Sequence, residues 1–148
     1  LMHKLMNDLA TAHRLSEALF ADLLGEEAVT GGQFAYMLVI CENPGLSQTE
    51  LSQRLQIDNG SVTRMMSRLQ NTGYIDQQSS KQDKRMSLLY PTELGIKAYR
   101  HIAPVAAESE RRLSNSLSSQ EEEELLRLLQ KVIEGLETTP KSSSTDQT

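Results

Sequence analysis

The sequence predicts a mainly α-helical chain carrying one small β-hairpin: two closely spaced helices form a helix-turn-helix, the hairpin follows as a wing, and long helices flank both ends. Three observations carry this. Apolar residues recur at three- and four-residue spacing through most of the 148 positions, and the few glycines (8) and prolines (4) fall mostly between those stretches. Only 74–78 and 86–90 read as short strands, joined by the polar segment 79–85. Aromatics are only 4% and tryptophan is absent, which argues against a sandwich or barrel.

Residues 3 to 24 place Leu5, Leu9, Leu19 and Leu23, with Met6, Ala12, Leu15 and Phe20, at near-helical spacing and without a breaker before Gly25. A second helix is expected from Thr30, where Thr-Gly-Gly-Gln fits a capping box with Gln33 reaching back, through Phe34–Cys41 to Pro44-Gly45. Ser47-Gln-Thr-Glu50 is another capping box, opening a short helix that turns Leu51 and Leu55 inward and stops near Gln56. Asp58-Asn-Gly-Ser begins the next, in which Val62, Met65, Met66 and Leu69 form one face and Gly73 stands at the left-handed C-terminal position. Asn59-Gly60 is also a hairpin signal, but the flanking residues follow a helical period instead of alternating.

After the hairpin, Pro91 ends the second strand, and Thr92-Glu93 starts a helix with Leu94, Ala98, Ile102 and Val105 on one face and a kink expected at Pro104. A last helix begins near Ser118 or Ser119, with Glu121–Glu124 in its first turn, favourable to the helix dipole, and Leu125, Leu129, Val132 and Leu136 as its seam. Residues 138–148 read as a disordered polar tail.

The formal net charge is −5, yet residues 47–100 carry eight Lys/Arg against five Asp/Glu, a local +3 that leaves −8 elsewhere. Focused cations can still meet a polyanion, because salt screens charge beyond about 8 Å at physiological ionic strength. The longest apolar run, Phe34–Cys41, is far below the roughly 20 residues needed to cross a bilayer. No secretion signal is evident, so a soluble cytoplasmic protein without membrane partners is expected. One cysteine and three scattered histidines (His3, His13, His101) give no metal-site spacing. There is no Gly-rich phosphate loop or nucleophile elbow, so neither an enzyme nor a cofactor is expected.

On the helix from Asp58 to Thr72, the face opposite the apolar band shows Ser61, Arg64, Arg68 and Asn71, with no acid after Asp58. In a major groove, Ser61, Thr63 and Arg64 would meet base edges, arginine pairing bidentately with guanine, while Arg68 would hold phosphate. The plain alternative is a solvated face. Ser47, Gln48 and Thr49 begin the preceding helix, where unpaired N–H groups and hydroxyls suit a phosphate oxygen, although capping alone would explain them. Lys81, Lys84 and Arg85 occupy the hairpin tip, narrow enough for a minor groove, with Lys81 and Lys84 on the backbone and Arg85 inserted. Asp83 is expected to hold the Arg85 guanidinium and so aim it.

The order of "LSQTELSQRL", "SVTRMMSRLQNTGYI" and "DKRMSLLYPTELG" resembles the winged helix-turn-helix of MarR-type transcriptional regulators over residues 30–137. Asp83-Lys84-Arg85 matches the family's Asp-x-Arg wing, Tyr90–Gly95 resembles its Leu-Thr-x-x-Gly exit, and "LSSQEEEELLRLLQKV" resembles its last helix. Pro91 and Met86 depart from the pattern at positions expected to lie outside the contacts. The resemblance implies a homodimer, with 1–29 and 104–137 as dimerisation helices around a DNA-binding lobe at 30–103, repressing from a pseudo-palindromic duplex site. The apolar seams of the terminal helices exceed what the central lobe could cover, which agrees. The resemblance further implies release by a phenolic or lipophilic effector between dimer helices and lobe, with His13, Phe34, Tyr36, Met37 and Met66 as candidates against the plain reading of core packing. Cys41, with no basic neighbour in sequence, is expected to be buried and inert. The rival function is a winged-helix module that binds only proteins, since fold does not fix function.

Overall fold

The computed structural model describes residues 2–26 and 31–137. Six helices and three strands follow in the order α1 (Lys4–Leu24), α2 (Gly31–Glu42), β1 (Leu46–Ser47), α3 (Gln48–Leu55), α4 (Asn59–Asn71), β2 (Ile75–Ser79), β3 (Ser87–Pro91), α5 (Glu93–Ser114) and α6 (Ser119–Glu137). The cap expected at Thr30 and the tail 138–148 lie outside the described residues. Residues through Glu110 form one compact unit, and those from Arg111 onward a second.

The first unit is built around side chains from every one of its elements. Met37 and Ile40 of α2, Leu51 of α3, Val62, Met66 and Leu69 of α4, Ile75 of β2, Leu89 of β3 and Ile102 of α5 are completely or almost completely buried. Removing such a side chain from water is worth about 1.5–3 kcal/mol, so α4 is held to the lobe along the face its 3.6-residue period predicts. From α1, Phe20 and Leu24 join this core, with Phe20 stacked on Phe34 at a centroid distance of 3.9 Å.

Local chemistry sets each boundary. Ser47 caps α3 by accepting the Glu50 N–H at 3.1 Å, and Gln56, in the left-handed conformation at φ 55°, ends it. The turn is then tied by Ser52, whose hydroxyl donates to the Ile57 carbonyl while its own carbonyl accepts the Ile57 N–H. Asp58 caps α4. Gly73 (φ 81°) closes that helix in a Schellman arrangement, its N–H donating to Gln70 and that of Tyr74 to Leu69.

The sheet has one strand more than the sequence suggests: β1 pairs antiparallel with β3, giving the order β1-β3-β2. Two residues are too few for an alternation signal, and only pairing with Leu88 and Leu89 makes Leu46–Ser47 a strand. The hairpin strands run one residue later than the pattern predicts, and Pro91 is the last paired residue of β3, opposite Ile75.

On α5, Ala98, Ile102 and Val105 of the expected face pack on the core, and only Leu94 departs from it. Leu94 is half exposed, and Gly95, Ile102 and Ser109 are the buried residues. The cause lies in Gly95, which packs directly against the Tyr74 carbonyl and so turns the neighbouring Leu94 outward. Pro104 lies inside α5, which continues to Ser114.

In the second unit, Ser118 and Glu121 form a complete capping box at the start of α6. The Ser118 hydroxyl accepts the Glu121 N–H at 3.1 Å, and the Glu121 carboxylate accepts the Ser118 N–H at 2.8 Å. No α6 residue is buried; Leu125, Leu126, Leu128, Val132 and Leu136 are all exposed. Among the described residues no helix is long and apolar enough to cross a membrane, and no cluster of His, Cys, Asp or Glu is placed to hold a metal.

Candidate nucleic-acid interface

The start of α3, the start of α4 and the base of the hairpin loop converge on one polar crevice of about 270 Å³, lined by Gln48, Thr49, Asn59, Arg85, Met86 and Ser87. Three of these, Gln48, Thr49 and Arg85, are residues singled out from the sequence. Asn59, Met86 and Ser87 were not. Asn59 has the ambiguity of an Asn-Gly pair, and Met86 and Ser87 stand where the loop passes into β3. Met86, which departs from the family pattern, lines the same crevice as these candidates.

Around this crevice the polar side chains are bonded to one another. Gln48 Nε2 donates to Thr63 Oγ1 at 2.7 Å, bracing α3 against α4, and Thr63 Oγ1 donates to the Asn59 carbonyl. Asp58 accepts both the Ser61 N–H and the Ser61 hydroxyl, and Arg64 Nη2 donates to that same hydroxyl at 2.9 Å. The Ser61 hydroxyl, then its N–H, and more weakly the Arg64 guanidinium hold the Asp58 carboxyl below its ordinary range. Arg64 and Arg68 are exposed, and Arg68 has no side-chain partner among the described residues. Ser47 differs from its neighbours: it is 2% exposed, paired in β1 and engaged with Glu50, so its hydroxyl serves the fold and not the surface.

The wing loop, residues 80–86, is ordered by its own hydrogen bonds. Ser80 Oγ accepts the N–H groups of Gln82 and Asp83, and the Ser80 N–H and Met86 carbonyl close the loop at 2.9 Å. Asp83 acts differently from the expected ion pair. Its carboxylate accepts the backbone N–H of Arg85 at 3.0 Å, and among the described residues no pair joins it to the Arg85 guanidinium. A two-residue offset in a turn brings an aspartate oxygen to the N–H two positions on, an Asx turn, sooner than to the end of a long side chain. Asp83 therefore fixes the backbone, and the guanidinium of Arg85, like the ammonium groups of Lys81 and Lys84, is exposed to solvent.

The five effector candidates lie in different surroundings. Met37 and Met66 are fully buried, and Tyr36 is 6% exposed, all within the core. Burial pushes the Tyr36 phenol up, the Asp58 carboxylate adding to the effect and the Arg64 guanidinium opposing it. His13 is exposed on α1 and sits 3.5 Å from Glu17. Phe34 borders an apolar crevice of about 290 Å³ lined by Glu17, Phe20, Ala21, Gly32 and Phe34. Cys41 is half-buried, its thiol pushed up to about 11 by burial and by nearby Glu42, and it donates to the Gly95 carbonyl at 3.9 Å.

Residues 29–86 match the model of the MarR family. Over 109 residues the chain is 30% identical to the uncharacterized HTH-type transcriptional regulator YybA of Bacillus subtilis, an alignment covering 74% of this chain and 73% of that protein. A mutant MarR from E. coli, solved in complex with operator DNA, superposes with a TM-score of 0.76 at 25% identity, covering 86% of this chain and 92% of that one. The PcaV regulator of Streptomyces coelicolor, solved with its natural ligand, gives a TM-score of 0.76 at 27% identity over 90% and 93% of the two chains. With the helix-turn-helix and wing in place, these similarities identify the chain as a member of the MarR family, whose proteins are DNA-binding transcriptional regulators and not enzymes.

Proposed function

We propose that this regulator acts as a homodimeric repressor on a pseudo-palindromic operator, with α4 in the major groove and the wing in the adjacent minor groove. The observation that carries the reading is the convergence of α3, α4 and the wing on one polar crevice edged by Arg85. Arg64 and Arg68 on α4 and Lys81 and Lys84 on the wing add exposed cations to the same unit. Gln48, Thr49, Arg68, Lys81 and Lys84 would hold phosphates, Arg64 would pair with a base edge, Thr63, its hydroxyl already bonded to Asn59 and Gln48, would offer its methyl group, and Arg85 would enter the minor groove. The protein would work in the cytoplasm, where its operator lies.

Exposed apolar residues support the dimer. Met2, Leu5, Met6, Leu9 and Leu15 lie at or along α1, and α6 exposes five more large apolar side chains. Faces of this kind, on helices at both ends of the chain, suit self-association by a twofold axis. Two lobes so joined would meet half-sites one helical turn, roughly 34–36 Å, apart. The crevice beside the Phe20–Phe34 stack is the place for a small apolar effector, which could act only by binding one arrangement of the lobes better than the other.

Selection of bound sequences from a random duplex pool tests the whole reading. A twofold-symmetric winner is expected, with log affinity falling linearly in log salt. Sedimentation of the free protein should give a dimer, and Leu126→Glu should shift it to monomer. Failure to enrich any duplex across low and moderate salt, with a correctly folded dimer in hand, would favour the protein-binding module instead.

A further inference from the structure

The first turns of α4 place two hydroxyls and one guanidinium in the positions expected to read bases; the Thr63 hydroxyl is spent on the Asn59 carbonyl and Gln48 Nε2, and Ser61 and Arg64 are bonded to each other. A hydroxyl has one hydrogen and two lone pairs. Ser61 gives its hydrogen to Asp58 Oδ1 at 2.7 Å and one lone pair to Arg64 Nη2 at 2.9 Å. It keeps no hydrogen for a base. Arg64 has five N–H donors in a rigid fork and spends one of them on Ser61.

Gly60 completes the arrangement. A Cβ built there would lie 3.2 Å from Asp58 Oδ2 and 3.4 Å from Arg64 Nη1, so the guanidinium folds back over Gly60, beside the capping carboxylate. Asp58 is itself held from a second direction by the Ser61 N–H at 2.9 Å. The relay thus runs from the helix cap through one hydroxyl to the guanidinium, and each member is anchored to the one before.

We propose that Ser61 and Asp58 are positioning residues for Arg64, which is the group that discriminates the base pair, and that Ser61 donates no hydrogen bond to a base. The inference rests on the placement of α4 in the major groove. Its physical basis is preorganisation: a long, exposed side chain loses rotamer freedom when it reads a base, and a side chain already held in one direction loses less. Bidentate pairing with guanine needs the fork's direction set as well as its charge.

The test uses the full chain and the duplex enriched from a random pool, with each base pair of a half-site changed in turn and affinity read by anisotropy competition. Arg64→Ala should flatten discrimination at one G·C pair by about 10- to 100-fold. Ser61→Ala keeps the backbone cap bond to Asp58. It should flatten that same pair several-fold, leave the other pairs and the salt slope unchanged, and add nothing in the double variant with Arg64→Ala. Asp58→Asn retains a good N-cap but removes the charge, and should weaken discrimination at that pair while the urea midpoint holds. Ser61→Thr, which restores a hydroxyl, should recover it.

Loss at a different base pair in Ser61→Ala, or losses that multiply in the double variant, would overturn the proposal in favour of direct reading by Ser61. Tighter binding to every duplex by Ser61→Ala would overturn it too, because Ser61 would then restrain Arg64 from its target. A wild-type chain that enriches no duplex overturns the groove placement and this inference together. Normal enrichment with either of the other results overturns the inference alone.

Discussion

Alanine at Gly95 puts a methyl group where the fold leaves no room for one. A Cβ at this position lies 2.1 Å from the Tyr74 carbonyl oxygen and 3.1 Å from its carbon, whereas carbon and oxygen in close contact sit roughly 3.3 Å apart. About 1 Å of separation is therefore required. Tyr74 cannot yield freely, because its carbonyl accepts the Thr92 N–H at 3.0 Å, and Thr92 also donates its hydroxyl to the Gly73 carbonyl. Either the contact stays overpacked, at about 1–3 kcal/mol, or the Tyr74–Thr92 bond opens and leaves a buried carbonyl unmet, at about 1–3 kcal/mol. Helix propensity alone favours alanine over glycine by about 1 kcal/mol, so a net loss can come only from packing. We expect Gly95→Ala to cost about 2 kcal/mol net, the top of those ranges at about 3 kcal/mol less the propensity gain of about 1 kcal/mol. At 2–4 °C per kcal/mol for a chain of this size, the melting temperature should fall by about 4–8 °C at matched protein concentration. Urea unfolding followed by circular dichroism provides the assay. Gly73→Ala is the control, since its Cβ would stand 3.7 Å from Leu94 and only the left-handed backbone at φ 81° would resist, a cost of about 1–2 kcal/mol. An unchanged or raised midpoint for Gly95→Ala would refute the claim that α5 is registered by direct backbone contact against the turn between α4 and β2.

Because Asp83 binds the Arg85 backbone N–H, Asp83→Asn should retain near-wild-type DNA affinity and Asp83→Ala should lose several-fold; equal losses in the two variants would restore the ion-pair account. Burial raises the Cys41 thiol to about 11 from an ordinary 9.0, so native protein at pH 8 should alkylate roughly a hundredfold more slowly than unfolded protein, and similar rates in labelling by iodoacetamide would refute it. The same shift has a definite sign in stability. The folded state holds the proton more tightly, so the Cys41 contribution is fully present below pH 9 and disappears as pH rises through about 11; urea midpoints of wild type minus Cys41→Ala across that window should show the fall.

Much of the architecture was legible in short stretches of sequence. Ser47-Gln-Thr-Glu50, Asp58, Gly73 and Ser118 mark helix ends because caps and left-handed closures are made by residues within a few positions of each other; the four ends fall where expected, although Glu50 meets the Ser47 hydroxyl and not its N–H. The Val62–Met66–Leu69 face was equally readable, since a 3.6-residue period decides which side of α4 enters the core. Candidate contacts at Gln48, Thr49 and Arg85 followed from helix starts and a loop tip, and the fold brings those three to one crevice.

Other features depend on distances between residues far apart in the chain. Leu46–Ser47 is a strand only because β3 lies beside it, and Leu94 faces outward because Gly95 must meet Tyr74. Ser61 carries the same hydroxyl whether it faces a base or is already bonded on both sides; composition and spacing are identical in the two cases. The sequence by itself thus determined the helices, most of their ends and the hairpin whose loop carries cations. Only the tertiary structure decided which polar groups there are already committed to one another, because a hydrogen bond is satisfied by position in space and not by order along the chain.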